Sequence, residues 1–352
     1  MLSLLLALLL AVPPLDSQLA GTFSHETVRA DSLSRGIVRT DSLYASALGA
    51  KKHYLVYLPP SYGTDTTRRY PVAYYLHGLY GAETDWVEHG HLDATMDSLI
   101  AHGMPEMIVV MPDGDDGWYT TWNTIGDYGA CMADSARTEP ASSYCVRWLH
   151  YDDYMAHDLV LHVDSTYRTI GEGAHRAIAG LSMGGYGAIA LALQYPDTWS
   201  AAASHSGVLS PTYVGPHPFK GAPTYATSFE QIEAQWADRP GGARWSSRQM
   251  AFGHDLPAWR WRDPAHRVRV LLDEYDSATS RIPALYMDVG SGDPLADDTR
   301  VFDAELTILG VPHQFAEWPG THNWDYWSAH VGQSLAWIAS HIAVPDSLSS
   351  AQ

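Results

Sequence analysis

Short apolar runs that alternate with stretches of helical spacing set the strongest limit on how this chain can fold. The apolar runs have the length of buried strands, and the stretches between them repeat apolar residues with the period of an amphipathic helix. Alternation of this kind predicts a mostly parallel sheet covered by helices on both faces. The runs read PVAYYLHG, MIVVMPDG, RAIAGLS, AAASHSG and IPALYMDVG, and the clearest helical stretches read DATMDSLIAHG, YDDYMAHDLVLHVDSTY, GYGAIALALQYP, DTRVFDAELTILG and YWSAHVGQSLAWIASHI.

The chain begins with an apolar run, MLSLLLALLLAVPP, that ends in proline. The run is shorter than the roughly 20 residues that a membrane-spanning helix needs. We therefore predict a signal peptide over residues 1–20, cleaved after Ala20, with an uncleaved anchor as the alternative. Cleavage would give a secreted or periplasmic protein with no stable membrane association. Because such compartments are oxidising, we predict a disulfide between Cys131 and Cys145, with two free buried thiols as the alternative.

Residues 21–345 are predicted to form one domain, followed by a disordered tail over residues 346–352. The stretches GTFSHETVRA, GIVRT and KKHYLVYLPPSY predict paired antiparallel strands at the start of this domain. Residues 208–280 break the alternation and predict an inserted, lid-like segment. Its tryptophans could stack on a flat or sugar-like substrate or could pack the lid itself, and they are Trp236, Trp245, Trp259 and Trp261.

The charge balance excludes several kinds of partner. The chain carries 40 acidic and 21 basic residues, a formal net charge of -19, which disfavours binding to nucleic acid or to an anionic membrane surface. His150, Asp153 and His157 fall on one face of a predicted helix, where a metal site is less expected than helix capping by Asp152 and Asp153. The chain lacks a G-x-G-x-x-G after its first strand and a G-K-[ST] loop. We therefore expect no cofactor and no metal, and the oligomeric state stays open.

The stretch GLSMGGYGA places Ser182 between the predicted strand RAIAG and the predicted helix YGAIALAL. G-x-S-x-G in this setting is the pattern of a nucleophile elbow, a sharp turn that exposes a serine above the carboxyl edge of a sheet. Gly180 and Gly184 would let strand and helix approach closely, and the helix N-terminus favours developing negative charge. The alternative interpretation is an ordinary glycine-rich helix start.

A serine nucleophile of this kind needs an acid and a histidine, which follow it in that order along the chain. Asp293 comes after the strand IPALYMDVG, at the predicted carboxyl edge of the sheet. His322 is the histidine of the loop EWPGTHNWDYW, just before the last helix. We predict that His322 takes the proton of Ser182 and that Asp293 holds the other nitrogen of the imidazole.

The chemistry also needs N–H donors for a negatively charged oxygen. We predict that the backbone N–H groups of Leu79 and Met183 form this oxyanion hole. Gly78 would permit the tight turn before Leu79, and His77 is interpreted as a structural residue of the same loop because it precedes the serine.

Several of these motifs together resemble one known group of proteins. They are LPPSY, LHGLYG, GWYTTWN, HDLVLHVDSTYRT, RAIAGLSMGGYGAIALALQYPDTWSAAASHSG, DVGSGDPL and GTHNWDYW, spread over residues 45–340. The chain is similar to the esterase D, antigen 85 and feruloyl esterase-like branch of the α/β-hydrolase fold. The resemblance implies that fold, a triad of Ser182, Asp293 and His322, and an oxyanion hole at Leu79 and Met183. Trp122 and Asn123 match a Trp-Asn pair near the substrate cleft of that group, and Trp324 is predicted to bind substrate with them.

These observations lead to an exported serine esterase, a carboxylic ester hydrolase with a small-molecule or carbohydrate ester as substrate. Feruloyl and acetyl esters of carbohydrates fit the leader and the tryptophan-rich insert. The first alternative is an acyltransferase, similar to the mycolyltransferases, that moves an acyl group to a sugar hydroxyl. The second is a carbohydrate-binding protein without activity, against which the intact set of serine, aspartate and histidine argues.

Overall fold

The computed structural model describes residues 35–123, 126–133, 140–237, 242–274 and 281–344. The predicted signal peptide of residues 1–20, the predicted strand GTFSHETVRA and the predicted tail of residues 346–352 lie outside these ranges. Those three expectations stay predictions.

Eight strands of the described residues form one sheet. They are β1 (Ile37–Ala45), β2 (Ala50–Leu58), β3 (Val72–Leu76), β4 (Ile108–Pro112), β5 (Arg176–Leu181), β6 (Ala201–His205), β7 (Ala284–Gly290) and β8 (Gln314–Trp318). Their order is β1-β2-β4-β3-β5-β6-β7-β8. The pairs β1–β2 and β2–β4 are antiparallel, and every other pair is parallel. The prediction of a mostly parallel sheet with antiparallel strands at its start is confirmed.

Helices connect the strands. They are α1 (Asp85–Glu88), α2 (Leu92–Ala101), α3 (Tyr128–Ala133), α4 (Ala141–Tyr144), α5 (Tyr151–Asp153), α6 (Val160–Thr166), α7 (Met183–Gln194), α8 (Phe229–Ala237), α9 (Gly242–Phe252), α10 (Leu256–Trp261), α11 (Pro264–Glu274), α12 (Ala296–Ile308) and α13 (Trp324–Ile342). A π-helical segment (Tyr154–Leu159) joins α5 to α6, and single 3₁₀ turns lie at Pro60–Gly63 and Gly173–His175. Of the helices described here, none has both the length and the apolar character needed to cross a bilayer.

Two hydrophobic cores lie on the two faces of the sheet, because successive side chains of a strand point to opposite faces. On β3, Tyr74 belongs to the first core and its neighbour Tyr75 belongs to the second core. Helix α7 packs into the first core through Ile189, and α13 packs into the second through Leu335. Because β3, β5, β6, β7 and β8 are paired in parallel, they end at the same edge of this sheet.

The predicted insert corresponds to the chain between β6 and β7, which contains α8, α9, α10 and α11. Trp236 and Trp259 are buried in it, with 3% and 0% of their surface exposed, and both belong to the first core. Trp261 is exposed, and the side chain of Trp245 lies outside the described part of the chain. Of the two roles that the sequence leaves open for these tryptophans, packing of the insert fits Trp236 and Trp259.

Candidate active site

Ser182 occupies the single position between β5, which ends at Leu181, and α7, which begins at Met183. Its backbone has φ 53° and ψ -115°, a conformation that residues other than glycine rarely adopt. The N–H of Ser182 donates to the carbonyl of His205 on β6 over 2.9 Å, and its carbonyl accepts from the N–H of Tyr186 over 3.0 Å. Hydrogen bonds on both sides thus hold the strained turn in place.

Glycine is required on both sides of this serine because the backbones touch there. A Cβ atom on Gly180 would lie 2.5 Å from the backbone of Gly184. A Cβ atom on Gly184 would overlap the carbonyl oxygens of Leu76 and His77. The two glycines let α7 begin directly against β3 and β5, which leaves Ser182 at the carboxyl edge of the sheet.

His322 lies between Ser182 and Asp293. Its Nε2 atom is 2.9 Å from the Oγ atom of Ser182, and its Nδ1 atom is 2.9 Å and 3.1 Å from the two carboxylate oxygens of Asp293. An ionised carboxylate can only accept hydrogen bonds, so Nδ1 carries the proton and Nε2 is left to accept from the serine hydroxyl. The side chain of Asp293 is fully buried and that of His322 is 10% exposed. The structure thus brings together the three residues that the sequence singles out.

Local hydrogen bonds and one aromatic contact orient the acid and the imidazole. The Oδ1 atom of Asp293 accepts from the N–H of Leu295 over 2.7 Å. The ring of Trp327 on α13 packs edge-on to the imidazole of His322, with ring centres 4.9 Å apart. The indole N–H of Trp327 in turn donates to the hydroxyl of Ser206. Sequence reasoning missed Trp327, although it lies in the quoted stretch EWPGTHNWDYW.

The loop after β3 lies against the serine turn. A Cβ atom on Gly78 would be 2.7 Å from the side chain of Leu181 and 3.5 Å from the Cβ atom of Ser182. This contact places Leu79 beside the nucleophile turn that includes Met183. Among the described residues, none accepts a hydrogen bond from the N–H group of Leu79 or of Met183. The role of these two N–H groups as the donors of an oxyanion hole stays a prediction.

His77 has a different environment from His322. Its Nδ1–H donates to the carbonyl of Gly78 over 2.8 Å, and its Nε2 accepts from the N–H of Gly114 over 2.9 Å. Both ring nitrogens are therefore used to join the loops after β3 and β4. This arrangement agrees with a structural role for His77.

A buried ionic cluster supports the same two loops. The ammonium group of Lys52, whose side chain has no exposed surface, lies 2.5 Å from Asp113 and 2.7 Å from Asp115. Burial alone would raise the pKa of Asp113, but its contacts with His77 and Lys52 hold it below the ordinary value. Burial and the charge of Asp113 raise the pKa of Asp115. One ammonium group thus lies within ion-pair distance of two carboxylates next to the loop that carries Leu79.

A cavity of about 340 Å³ opens at Ser182 and His322. The loop after β3 contributes Leu79 to it, and the start of α13 contributes Trp324, a residue predicted to bind substrate. Arg248 of the insert also lines the cavity. No motif in the sequence indicates this arginine, because only the packing of the insert brings it to the site.

Trp122 and Asn123, the other two residues predicted to bind substrate, are not among the residues that line this cavity. The indole N–H of Trp122 donates to the carbonyl of Gly117 over 3.0 Å. The amide of Asn123 lies 3.3 Å from Asp255. Trp118, in the same GWYTTWN stretch, does line the cavity, and the roles of Trp122 and Asn123 in substrate binding stay predictions.

The structure joins Cys131 to Cys145 through their sulfur atoms, which links α3 to the end of α4. His150 and His157 lie 3.8 Å and 3.9 Å from carboxylate oxygens of Asp153, and all three side chains are about half exposed. Within the described ranges, no group of three or more potential ligands has the arrangement of a metal site.

Known proteins of similar sequence carry the names of esterases. A family model described as "Putative esterase" matches residues 45–338. An esterase of Mycobacterium tuberculosis is 29% identical over 285 residues, which cover 79% of this chain and 54% of that protein. A protein of Xylanibacter ruminicola named endo-1,4-beta-xylanase/feruloyl esterase is 28% identical over 169 residues, which cover 47% of this chain and 21% of that protein. The chain thus spans about half the length of the first relative and less of the second.

A solved structure named ferulic acid esterase matches with a TM-score of 0.61 and 26% identity, and the match covers 87% of this chain and 98% of that one. The predicted α/β-hydrolase fold is confirmed by this likeness together with the strand order.

Proposed function

The chain belongs to the Esterase family of the α/β-hydrolase fold, and on that basis we propose that it hydrolyses carboxylic esters with Ser182 as nucleophile. The observation that carries the proposal is the continuous hydrogen-bonded series from the Oγ atom of Ser182 through the imidazole of His322 to the buried carboxylate of Asp293. Nucleophile, base and orienting acid are at hydrogen-bond distance in the order that acyl transfer requires.

In the first half of the reaction, the Oγ atom of Ser182 attacks the carbonyl carbon of the ester while Nε2 of His322 takes the hydroxyl proton. The carbonyl oxygen becomes negatively charged and accepts hydrogen bonds from the N–H groups of Leu79 and Met183. Collapse of this intermediate breaks the bond to the alcohol oxygen, which leaves with the proton held by His322. Asp293 stabilises the imidazolium between these two transfers.

In the second half, water takes the place of the alcohol. His322 accepts a proton from the water molecule, whose oxygen attacks the acyl carbon bound to Ser182. The second intermediate uses the same two N–H donors and collapses to release the carboxylic acid. The serine recovers its proton from His322, so the enzyme returns to its starting state.

The proposal extends to export and to substrate class. The apolar leader over residues 1–20 supports secretion or a periplasmic location. The names of the similar proteins, which include feruloyl and ferulic acid esterases, support feruloyl esters as substrates. Acetyl esters of carbohydrates are the other substrate class that we propose. Trp118 and Trp324 in the cavity supply flat apolar surfaces of the kind on which an aromatic or sugar ring can pack.

The activity is tested with the purified chain, a series of p-nitrophenyl acyl esters and methyl ferulate. We expect hydrolysis by the wild type and by Ser328→Ala, which changes a half-buried serine on α13, and none above background by Ser182→Ala. If the folded wild type hydrolyses none of these esters, the esterase proposal is wrong. Export is tested separately by N-terminal sequencing of the mature protein, which we expect to begin at Gly21.

A further inference from the structure

His205 ends β6 directly beside the nucleophile, yet the mechanism proposed above does not use its side chain. Its carbonyl accepts from the N–H of Ser182 over 2.9 Å. The Nε2 atom of its imidazole lies 2.8 Å from the hydroxyl oxygen of Ser334 on α13, and Nδ1 lies 2.7 Å from Oδ2 of Asp288 on β7. One residue thus contacts the nucleophile through its backbone and, through its side chain, the helix that begins two residues after His322.

The three polar side chains of this series are buried away from the substrate cavity. His205, Asp288 and Ser334 have no exposed surface, and none of them lines the cavity at Ser182. They therefore cannot form a second nucleophilic site, although an aspartate, a histidine and a serine follow one another here as well. Polar groups are costly to bury, and apolar side chains of similar volume often give equal stability. What such directional contacts add is a single fixed arrangement of the elements that they join.

Two more residues of α13 make polar contacts with the same strand ends. The hydroxyl of Tyr326 donates to Oδ1 of Asp288 over 3.0 Å. The indole N–H of Trp327 donates over 3.2 Å to the hydroxyl of Ser206, the residue after β6. Because Ser334 lies about two helical turns further on, it falls on the same face of the helix. Helix α13 is therefore attached to the ends of β6 and β7 at three points.

These attachments reach His322 by two routes. The ring of Trp327 packs edge-on to the imidazole of His322, with ring centres 4.9 Å apart. The ring of Tyr326 packs against Gly320 in the same loop, so closely that a Cβ atom there would lie 2.4 Å from it. A shift of α13 relative to β6 would therefore move the imidazole of His322 relative to Ser182, which is itself hydrogen-bonded to β6.

We propose that His205, Asp288 and Ser334 are positioning residues for the ester hydrolysis. They hold α13 against β6 and β7 and thereby keep Nε2 of His322 at hydrogen-bond distance from the Oγ atom of Ser182. The inference rests on the proposed esterase function and deepens it. Since a displacement of about 1 Å at a reacting group can cost about 10²-fold in rate, loss of these contacts should slow the chemical step. Substrate binding should change little, because the cavity lining is untouched.

The test measures kcat and KM of His205→Leu with a p-nitrophenyl ester. Leucine fills a similar volume without either ring nitrogen, so both polar contacts of the side chain are lost. We expect kcat to fall about 10- to 100-fold with little change in KM. His205→Gln retains a donor and an acceptor and should recover part of the lost kcat.

Two comparisons separate positioning from stability. Val163→Ala opens a cavity in the first core, on α6, and should lower the free energy of unfolding while leaving kcat unchanged. Ser334→Ala removes the hydroxyl that faces Nε2 of His205. It should lower kcat in the wild type but have little further effect in His205→Leu, because both substitutions break the same contact.

The outcomes separate this inference from the esterase proposal. A folded His205→Leu with wild-type kcat, a loss confined to KM, additive effects of the two substitutions, or an equal fall of kcat in Val163→Ala overturns the positioning role and leaves the esterase proposal intact. Absence of hydrolysis by the wild type removes the esterase proposal and this inference with it. Thermal unfolding shows whether each variant is folded. If His205→Leu is not, a selective fall of kcat in Ser334→Ala supports the positioning role, and wild-type kcat in that variant overturns it.

Discussion

The Nε2 atom of His322 lies 2.9 Å from the Oγ atom of Ser182, although 140 positions separate the two residues in the chain. Parallel strands explain this proximity, since β5 and β8 end at the same edge of the sheet and each is followed by a short connection to a helix. Asp293 reaches the same edge in the same way, after β7. The site is therefore a consequence of topology combined with the residue that follows each strand.

Replacing Asp293 by asparagine should disable the proposed base while preserving the fold. Asparagine can turn an N–H group toward Nδ1 of His322, which stabilises the wrong tautomer and removes the charge that stabilises the imidazolium. We expect Asp293→Asn to lower kcat by about 10³- to 10⁴-fold, measured with a p-nitrophenyl ester. The matched control is Asp303→Asn, which removes the carboxylate of another Asp–His pair, 2.9 Å from His313. If both variants retain wild-type kcat, the role assigned to Asp293 is wrong.

Gly184→Ala tests the requirement for close backbone approach beneath the serine. The new methyl group would overlap two carbonyl oxygens at the end of β3 and must displace either α7 or the loop that carries Leu79. We expect a loss of about 1–3 kcal/mol in the free energy of unfolding and, because the nucleophile moves, a fall of about 10²-fold in kcat/KM. Gly63→Ala is the control, since a Cβ atom there meets no atom within 4 Å. An equal effect of the two substitutions would contradict the steric argument.

The fold and the three central side chains could be predicted because their signals are local. The glycines around Ser182 and the apolar runs before Asp293 and His322 report on single strands and the turns that follow them, and the parallel topology then determines that these turns meet. The resemblance to a known group pointed to the same three residues.

Arg248 and Trp118 could not be predicted as cavity residues for the opposite reason. Whether Arg248 of the insert or Trp118 of the loop after β4 reaches the cavity depends on tertiary packing, and that packing has no sequence signature at a fixed spacing. Trp122 illustrates the same limit, because a shift of four residues within one aromatic loop separates a side chain that lines the cavity from one that does not. The buried ion pairs of Lys52 could not be predicted either, because a lysine in the strand KKHYLVYL is expected at the surface.

Removing the charge of Lys52 should be costly. In Lys52→Met, Asp113 and Asp115 would remain buried without the cation that lies within 2.7 Å of both. We expect the free energy of unfolding to fall by about 3–5 kcal/mol, the usual effect of breaking a buried ion pair from one side. Denaturant titration measures this loss.

Two further variants check the cause of that effect. Lys51→Met changes the exposed neighbour on the same strand and should alter stability by no more than about 0.5 kcal/mol. Adding Asp115→Asn to Lys52→Met removes one of the two uncompensated carboxylates and should restore part of the loss. If Lys52→Met is as stable as Lys51→Met, the buried cluster does not contribute to stability as argued.

Asp263, at the start of α11, should make stability depend on pH. Its carboxyl group has no exposed surface, and burial raises its pKa to about 6 despite hydrogen bonds from Thr212 and Ala265. Because this pKa lies above the value of 3.8 for an unperturbed aspartate, the folded protein holds a proton that the unfolded chain releases between these two pH values. The contribution of Asp263 to the free energy of unfolding should therefore fall as the pH rises from about 4 to about 6, by roughly 3 kcal/mol.

Asp263→Asn isolates this contribution, since the amide is neutral at every pH and its oxygen can still accept one of the same hydrogen bonds. The wild type should lose stability relative to Asp263→Asn as the pH is raised from 4 to 7 in parallel urea titrations, by up to roughly 3 kcal/mol. Asp273→Asn, at an exposed position of the same helix, should show no comparable change relative to the wild type. A wild-type stability that rises over this range relative to Asp263→Asn would mean that hydrogen bonding outweighs burial at Asp263, the reverse of the balance argued here.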